Sequence, residues 1–317
     1  MKILFFSHDG KLGDAVVNTA FVAGVRALAP TAEIHVLASS ASADFWSMHS
    51  GITKVWKFEN PSVWQSLRTI WTIRQQRFDY LVTFKKRFKS EKTRVLLALA
   101  RPRGGIVSTE GKVPGQLVHA IQKSQASLEA IFGDAGKVLP LRYQLGFDTG
   151  KATILESPVA ADAVVVLVNL FAADAARTVQ TDVAATLLRS LAARMPEVLL
   201  CLLCTDATES QAQQAHAESG IHCRVVNTRM DFRQLAAVCA RADLIISPDT
   251  SLVHIASALD RPILGIFQDD GVKVTEWGPR SSRFETVIAP DRNSIAGFSV
   301  DEVVTKALRL LQPDVTR

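Results

Sequence analysis

The same local pattern occurs near both ends of this chain: an apolar strand, a polar turn, an apolar-faced helix and a second apolar strand. Residues 242–267 contain two short apolar runs separated by Asp249–Ser251 and a helical pattern. Residues 2–37 show the same order, with a glycine-bearing loop at 8–14 and a helix that Pro30 ends. Helices that connect successive strands in this way belong to parallel sheets. The pattern therefore predicts an α/β protein.

The alternation of strands and helices continues along the chain with one interruption. Residues 134–162 contain glycines and prolines but no periodic segment, which indicates a linker between domains. Because 317 residues suffice for two domains of ordinary size, we predict domains at 1–155 and 156–317. The predicted strands are 2–7, 33–38, 53–58, 79–84, 104–108, 163–169, 197–204, 222–226, 243–247 and 262–267, and the predicted helices are 14–29, 62–76, 90–100, 116–133, 181–194, 208–218, 231–241, 250–259 and 299–312.

The turn at 249–252 has the composition of an anion site. Asp249, Thr250 and Ser251 supply a carboxylate and two hydroxyls, and the backbone N–H groups of Thr250, Ser251 and Leu252 begin a helix whose dipole favours negative charge. This suits a phosphate with a sugar beside it. The alternative is that Asp249 or Thr250 simply caps the helix. The sequence lacks GxGxxG and GxxxxGK[ST], so a dinucleotide fingerprint and a P-loop are not supported.

Four segments together resemble glycosyltransferase family 9, the heptosyltransferases and related enzymes of lipopolysaccharide core assembly. They are Leu12-Gly13-Asp14, the stretch DTSLVHIASALDRP at 249–262, Trp277-Gly278-Pro279, and Asn169-Leu170-Phe171-Ala172 followed by Arg177. Their order and spacing fit over nearly the whole chain. The motif at 249–262 is fairly specific to the family, whereas Leu12-Gly13-Asp14 is weak by itself.

The resemblance implies a GT-B fold, in which two Rossmann-like parallel-sheet domains face a central cleft. It also implies an inverting transferase that needs neither metal nor cofactor, and a last helix that packs back on the N-terminal domain. The turns at 12–14 and 249–252 would then meet across that cleft. No DxD motif stands in a suitable loop.

Asp14 matches the catalytic aspartate of the family, which accepts the proton of the acceptor hydroxyl. The alternative from the residues alone is that Asp14 caps the helix or occupies its first position. Asp9 is a rival carboxylate five positions earlier, in the loop, but it has no counterpart in the family and loop aspartates usually stabilise turns.

For the donor, the resemblance implies that Asp249 accepts hydrogen bonds from sugar hydroxyls and that Thr250 and Ser251 hold the diphosphate. Arg177 stands where the family has a lysine that reaches the phosphates, and a guanidinium can do so bidentately. The other donor residues have supporting roles: Leu252 through its N–H group, His254 as a support residue beside the phosphates, and Asn169 and Phe171 as the lining of the nucleotide site.

Charge divides unevenly between the two predicted domains. Residues 1–155 hold 21 Lys+Arg against 11 Asp+Glu, a balance of +10, and residues 156–317 hold 15 against 20, a balance of −5. The basic run 85–94 follows a predicted strand, and we place contacts with an anionic, lipid-linked oligosaccharide acceptor on Lys11, Lys85, Lys86 and Arg87. A solvated surface is the alternative. Nucleic acid is a weaker candidate because the run has one aromatic residue and no recognised module.

Localisation follows from what the sequence lacks. It shows neither an eighteen-residue apolar window nor a signal peptide, so we expect a cytoplasmic protein with peripheral contact to the inner membrane. The export signal of a periplasmic binding protein is likewise missing. Cys201 and Cys204 have CxxC spacing but lie in a predicted strand, where they point to opposite faces, so we expect buried structural thiols.

Three departures from the family leave the donor open. Arg177 replaces the lysine and lacks the tryptophan-proline that often follows, Arg233 stands where an acidic residue commonly contacts the ribose, and Ser251 replaces a glycine. ADP-heptose is the first choice of donor, and a UDP-sugar is the alternative. A nucleotide-sugar epimerase of similar fold and a non-catalytic nucleotide-sugar binding protein remain the other candidates.

Overall fold

Two parallel sheets organise the computed structural model, one in each of the two units Met1–Phe147 and Asp148–Arg317. The structure describes residues 1–7, 11–57, 62–84, 102–108, 118–150, 163–229 and 231–312. The division between the units falls within 134–162, where the periodic pattern of the sequence is interrupted. In the described part of the chain, every helix is too short or too polar to span a bilayer.

The first unit is a five-stranded sheet with helices on both faces. Its strands run in the order β3-β2-β1-β4-β5, and all four pairings are parallel. The strands are β1 (Lys2–Ser7), β2 (Glu33–Ala38), β3 (Lys54–Lys57), β4 (Tyr80–Thr83) and β5 (Gly105–Ser108), and the helices are α1 (Leu12–Leu28), α2 (Ser40–Met48), α3 (Val63–Gln75), α4 (Ile121–Phe132) and α5 (Asp134–Val138).

Alternation along β1 supplies the core on both faces of this sheet. On one face, the ring of Phe5 meets Phe21 of α1 and Trp46 of α2 edge to face, at centroid distances of 5.7 and 5.1 Å. On the other face, Leu4 and Phe6 belong to a cluster that includes Ile70 and Ile73 of α3. Successive side chains of a strand point to opposite faces, so one strand anchors both helix layers.

The second unit is a six-stranded parallel sheet in the order β11-β10-β9-β6-β7-β8. The strands are β6 (Val165–Asn169), β7 (Leu199–Cys204), β8 (Arg224–Asn227), β9 (Leu244–Pro248), β10 (Ile263–Gln268) and β11 (Phe284–Ala289), and the helices are α6 (Thr181–Arg194), α7 (Glu209–Ser219), α8 (Phe232–Arg241), α9 (Ser251–Ala258), α10 (Lys273–Trp277) and α11 (Val300–Leu311). The chain builds β6 to β8 outward on one side, then returns to the other side of β6 for β9 to β11.

The closing helix α11 packs on the second unit. Its buried residues Val303, Val304, Ala307 and Leu310 belong to the core cluster of that unit, and the helix contacts α6 and strands β9 to β11. Its apolar stripe therefore covers strands β9 to β11 of the second sheet. The expectation that this helix packs back on the N-terminal domain stays a prediction.

The element predictions differ from the structure in a few places. Helix α1 begins two residues before the predicted start, and helices α2, α5 and α10 and strand β11 were not predicted. Helix α2 is short and serine-rich, a composition typical of loops, yet Phe45 and Trp46 bury it against the sheet. The predicted helix 90–100 and residues 151–162 of the linker lie outside the described residues.

All four cysteines are free and buried, as expected for Cys201 and Cys204. Burial raises the pKa of both the Cys201 and the Cys204 thiol to about 11. Both groups are therefore protonated and unreactive at neutral pH.

A buried imidazole occupies the end of α2. The ring of His49 lies against Trp46, with centroids 5.6 Å apart, and its Nδ1 accepts a hydrogen bond from the Gly51 N–H at 3.0 Å. Gly146 has a φ of 72°, and a Cβ there would overlap the imidazole, so glycine is required on both counts. Burial lowers the pKa of His49 to about 4, and the nearby positive charge of Arg26 adds to this effect.

The buried histidine makes the free energy of unfolding depend on pH. The unfolded chain protonates His49 near its ordinary pKa of 6.5, whereas the folded chain takes up that proton only near pH 4. We therefore expect stability to fall as the pH is lowered from 6.5 to 4. Burial of His35, whose pKa is also lowered to about 4, contributes in the same direction. His49→Gln should reduce the slope of unfolding free energy against pH by about half.

Urea unfolding at a series of pH values, followed by tryptophan fluorescence, measures this slope. His222→Gln is the matched control, because the exposed ring of His222 stays in water in both states. An unchanged slope in His49→Gln contradicts the assignment.

Candidate active site

The carboxyl ends of β6 and β9 form the point at which the second sheet changes direction. Strand β6 leads outward to β7, and β9 begins the return on the other side. Connections leave these two neighbouring strands in opposite directions, which opens a crevice where ligands bind in open α/β sheets. Asn169 ends β6, and Asp249 and Thr250 follow β9. Sequence motifs 80 residues apart are thereby brought to one edge.

A buried hydrogen-bond network joins the two strand ends. The amide Nδ2 of Asn169 donates to Ser247 Oγ at 3.0 Å and to Thr250 Oγ1 at 3.5 Å. The Ser247 hydroxyl donates to the Pro248 carbonyl at 2.9 Å, so the Thr250 hydroxyl, 3.0 Å from Ser247 Oγ, is the donor in that contact. Since Ser247 is fully buried, this network satisfies polar groups that are costly to leave unpaired.

The same threonine caps the helix that follows. Thr250 is the N-cap of α9, and its Oγ1 accepts from the Leu252 N–H at 3.3 Å. Thr250 therefore caps the helix and takes part in the buried hydrogen-bond network at the same time. In this structure the Leu252 N–H donates to the capping hydroxyl, and its expected role toward a phosphate stays a prediction.

Arg177 ties the loop after β6 to the turn after β9. It ends a short 3₁₀ turn (Ala175–Arg177) whose N-cap, Asp174, accepts a hydrogen bond from the Ala176 N–H. The guanidinium Nη1 donates to the Asp249 carbonyl at 2.8 Å and lies 3.5 Å from Asp249 Oδ2, while Nε lies 3.4 Å from Asp174 Oδ2. The cation is therefore held in one place beside the turn, with two carboxylates around it.

Helix α9 supports the turn from behind. His254 is 4% exposed, and its ring meets Trp277 at a centroid distance of 6.0 Å and an interplanar angle of 66°. The side chain of Leu252 is also buried. Both residues act through packing, whereas Ser251 is half-buried at the first position of the helix.

A cavity of about 560 Å³ opens beside Arg177 at the same edge of the sheet. Its volume falls within the range of small-molecule sites. Small and uncharged side chains line it, which leaves room for a flat or polar group: Ala172, Ala173, Ala175, Thr178, Val179, Gln180, Thr181 and Gln211. The sequence analysis did not identify this cavity, although the alanine-rich run at 172–176 is a signal of open space.

In the first unit, Asp14 lies in the first turn of α1, after the strand from which the first sheet changes direction. The N-cap is Lys11, so Asp14 is the third helical residue and neither caps the helix nor occupies its first position. A carboxylate there is stabilised by the helix dipole. Asp14 is half-buried and Lys11 is exposed. Asp9, Lys85, Lys86 and Arg87 lie outside the described residues.

The sequence of the second unit matches a known family. Residues 158–306 match the sequence model of glycosyltransferase family 9 (heptosyltransferase). The chain carries a glycosyltransferase family 9 domain. This family 9 domain contains Asn169, Arg177 and the turn 249–252, whereas Asp14 lies outside the matched residues.

Solved structures similar to the chain include three proteins of this kind. A family 9 glycosyltransferase from Veillonella parvula DSM 2008 has a TM-score of 0.78 at 12% identity, covering 98% of this chain and 97% of that one. ADP-heptose LPS heptosyltransferase II of E. coli has a TM-score of 0.76 at 16% identity, covering 98% of each chain. The structure of E. coli heptosyltransferase WaaC with ADP has a TM-score of 0.74 at 14% identity, covering 98% of this chain and 100% of that one. The structure of WaaC with ADP-2-deoxy-2-fluoro heptose has a TM-score of 0.71 at 14% identity, covering 98% of this chain and 99% of that one. No curated protein matches the sequence significantly.

These similarities confirm the predicted fold class. Both units are parallel-sheet α/β domains, and together they match GT-B heptosyltransferase structures along nearly their whole length. With its family 9 domain, the protein is a glycosyltransferase.

Within the family 9 domain, the structure joins four of the predicted donor residues through direct contacts: Asn169, Arg177, Asp249 and Thr250. Phe171 differs, because its side chain is 5% exposed and belongs to the apolar core of the domain, and its role at a nucleotide site stays a prediction. Sequence reasoning missed Ser247 and Asp174. A serine inside the apolar strand LIISP is a signal for the first, because a buried hydroxyl needs partners.

Removing the shared hydroxyl should weaken the fold of this domain. Thr250→Ala deletes both the helix cap and the partner of Asn169 and Ser247, so we expect a loss of about 1–2 kcal/mol in the free energy of unfolding. Thr250→Ser keeps the hydroxyl and should stay close to wild type. Urea denaturation of the three proteins tests this. Equal stability of the alanine and serine variants would show that the network contributes nothing.

Proposed function

We propose that this glycosyltransferase is inverting and metal-independent, and that it moves a sugar from a nucleotide-sugar donor to a lipopolysaccharide core acceptor. ADP-heptose is the proposed donor. The observation that carries the proposal is the guanidinium of Arg177 beside the Asp249–Thr250 turn, at the start of a helix and at the switch point of a family 9 domain.

Donor binding is assigned to the second unit. A diphosphate at the start of α9 would receive the helix dipole and the charge of Arg177, both of which stabilise the negative charge that develops as the bond to the sugar breaks. Arg177 can serve this role without a metal ion because it is already held in place by the Asp249 carbonyl. The oxygens of the Asp249 side chain are hydrogen-bond acceptors, the type of group that sugar hydroxyls need.

Proton removal is assigned to Asp14. As the acceptor hydroxyl attacks the anomeric carbon, its proton passes to the Asp14 carboxylate while the bond to the diphosphate breaks on the opposite face. Because the hydroxyl attacks from the face opposite the diphosphate, the configuration at the anomeric carbon is inverted. Asp14 is half-buried in the first turn of the helix, and a carboxylate can accept the hydroxyl proton as a general base.

The acceptor is proposed to be an anionic oligosaccharide on a lipid anchor at the cytoplasmic face of the inner membrane. The +10 balance of residues 1–155 supports this, since a basic surface raises the local concentration of anionic partners. Lys11 is exposed beside α1, and Lys85, Lys86 and Arg87 remain proposed contacts.

The choice of an adenine nucleotide is supported by the structures of E. coli WaaC with ADP and with ADP-2-deoxy-2-fluoro heptose. Arg233 is exposed in the first turn of α8, and its guanidinium cannot accept hydrogen bonds from the ribose that ADP and UDP share. A UDP-sugar or another nucleotide sugar is therefore kept as the alternative donor.

Asp14→Asn should lower kcat by about a hundredfold to ten-thousandfold while the Kd for the donor stays near that of wild type, because the amide cannot accept the proton. Rates are measured with donor and purified acceptor. Asp301→Asn is the matched control, since Asp301 is an exposed acidic residue in the first turn of α11. Full transfer by a folded Asp14→Asn enzyme would remove Asp14 as the base.

A thermal-shift panel of ADP-heptose, ADP and UDP-glucose tests the donor assignment. A ligand selective for the folded state raises the melting temperature, and we expect the largest rise with ADP-heptose. Arg177→Gln should weaken donor binding by about tenfold or more, the effect of losing a charged hydrogen bond. Arg309→Gln, which removes an exposed arginine from α11, should bind like wild type. The donor proposal fails if none of the three nucleotides raises the melting temperature.

A further inference from the structure

Helix α3 exposes large apolar side chains to solvent. Trp64 is 81% exposed, Trp71 is 62% exposed and Leu67 is 48% exposed. They lie at positions i, i+3 and i+7, within about 60° of arc on an ideal helix. We call these three residues the α3 stripe. Single exposed apolar residues are ordinary, but a contiguous patch with two indoles marks a site of interaction.

The α3 stripe is not needed to hold the helix in place. The opposite face contributes Ile70 and Ile73 to the core, at 8% and 0% exposure. The helix also begins with a capping box, in which Ser62 and Gln65 satisfy each other's backbone N–H groups. Folding therefore leaves the α3 stripe available for a partner.

Cations border the α3 stripe on both sides. Arg68 and Arg74 are exposed, and on an ideal helix each lies within about 40° of an edge of the stripe. The sequence from Asn60 to Phe78 contains three arginines and no acidic residue. A helix with indoles on one face and arginines at the edges of that face suits the boundary between lipid headgroups and acyl chains.

We propose that the α3 stripe docks on the surface of an anionic lipid bilayer. Indole rings prefer the headgroup level, where the ring is desolvated and the N–H stays near water, and the flanking arginines meet lipid phosphates. The stripe is short, so the contact is shallow and reversible.

A second copy of the chain is a poorer occupant of this face. A two-fold contact places the same surface opposite itself, so Arg68 and Arg74 of both copies would be brought together. With no carboxylate between Asn60 and Phe78, that segment offers these arginines no partner. Charge complementarity thus selects an anionic surface.

Membrane docking through the α3 stripe deepens the proposed function, because it names the surface through which the enzyme would approach an acceptor on a lipid anchor. It rests on that function only for the identity of the acceptor. Binding to vesicles needs neither donor nor turnover. The two proposals therefore fail separately.

The test is sedimentation of the full chain with vesicles of phosphatidylcholine, alone or with about 30 mol% phosphatidylglycerol. We expect binding to the anionic vesicles that weakens as salt is added. Trp64→Gln with Trp71→Gln should reduce the partition coefficient more than tenfold. Arg68→Gln with Arg74→Gln should reduce it by about fivefold for each arginine, on anionic vesicles only.

Two matched controls separate the α3 stripe from general apolarity and charge. Val138→Gln removes another apolar side chain of the first unit, 77% exposed, and Arg194→Gln with Arg309→Gln removes two exposed charges from the second unit. Both should partition like wild type.

The proposal is overturned if wild type does not bind the anionic vesicles, if the double tryptophan variant binds as wild type does, or if the control variants lose binding equally. It is also overturned if light scattering without vesicles shows a dimer that the tryptophan variant abolishes, since the occupant is then a second copy. Vesicle binding without sugar transfer from any donor would contradict the proposed function alone.

Discussion

The second unit depends on the hydrogen bonds that join the ends of β6 and β9. Parallel strands deliver their carboxyl ends to one edge, where the backbone must turn away and polar groups become buried. Asn169, Ser247 and Thr250 satisfy one another there, and Thr250 also caps α9. The network holds the turn so that the Asp249 carbonyl meets Arg177 at 2.8 Å. A cation, a carboxylate and a helix start are thus preorganised before any ligand arrives.

The charges at this site are balanced in a way that suits a nucleotide sugar. Two carboxylates, Asp174 and Asp249, surround the single guanidinium of Arg177. A bare anion gains little from so compensated a cation. A diphosphate attached to a sugar gains from both partners, because its oxygens meet the cation while its hydroxyls donate to a carboxylate.

Local periodicity predicted most of the architecture. Strands β1 and β2 and helix α6 have the predicted bounds, because each is long, regularly patterned and flanked by a turn or cap. Helix α2 could not be predicted, since its serines favour a loop and only contact with the sheet stabilises it. The sequence motifs also singled out Arg177, Asp249 and Thr250, which the structure brings together at one edge of the second sheet. Ser247 was missed because a single polar residue inside an apolar strand carries no periodic signal.

The amino-acid sequence by itself determined the parallel α/β class and the turn chemistry, because alternation, helix starts and motif spacing are local properties. Only the tertiary structure decided which side chains meet. It turned Phe171 into the core, packed α11 on the second sheet, brought Asn169 against a serine 78 residues away, and left Trp64 and Trp71 in solvent. These outcomes depend on strand order and on which helix face reaches a sheet, and neither is encoded within one segment.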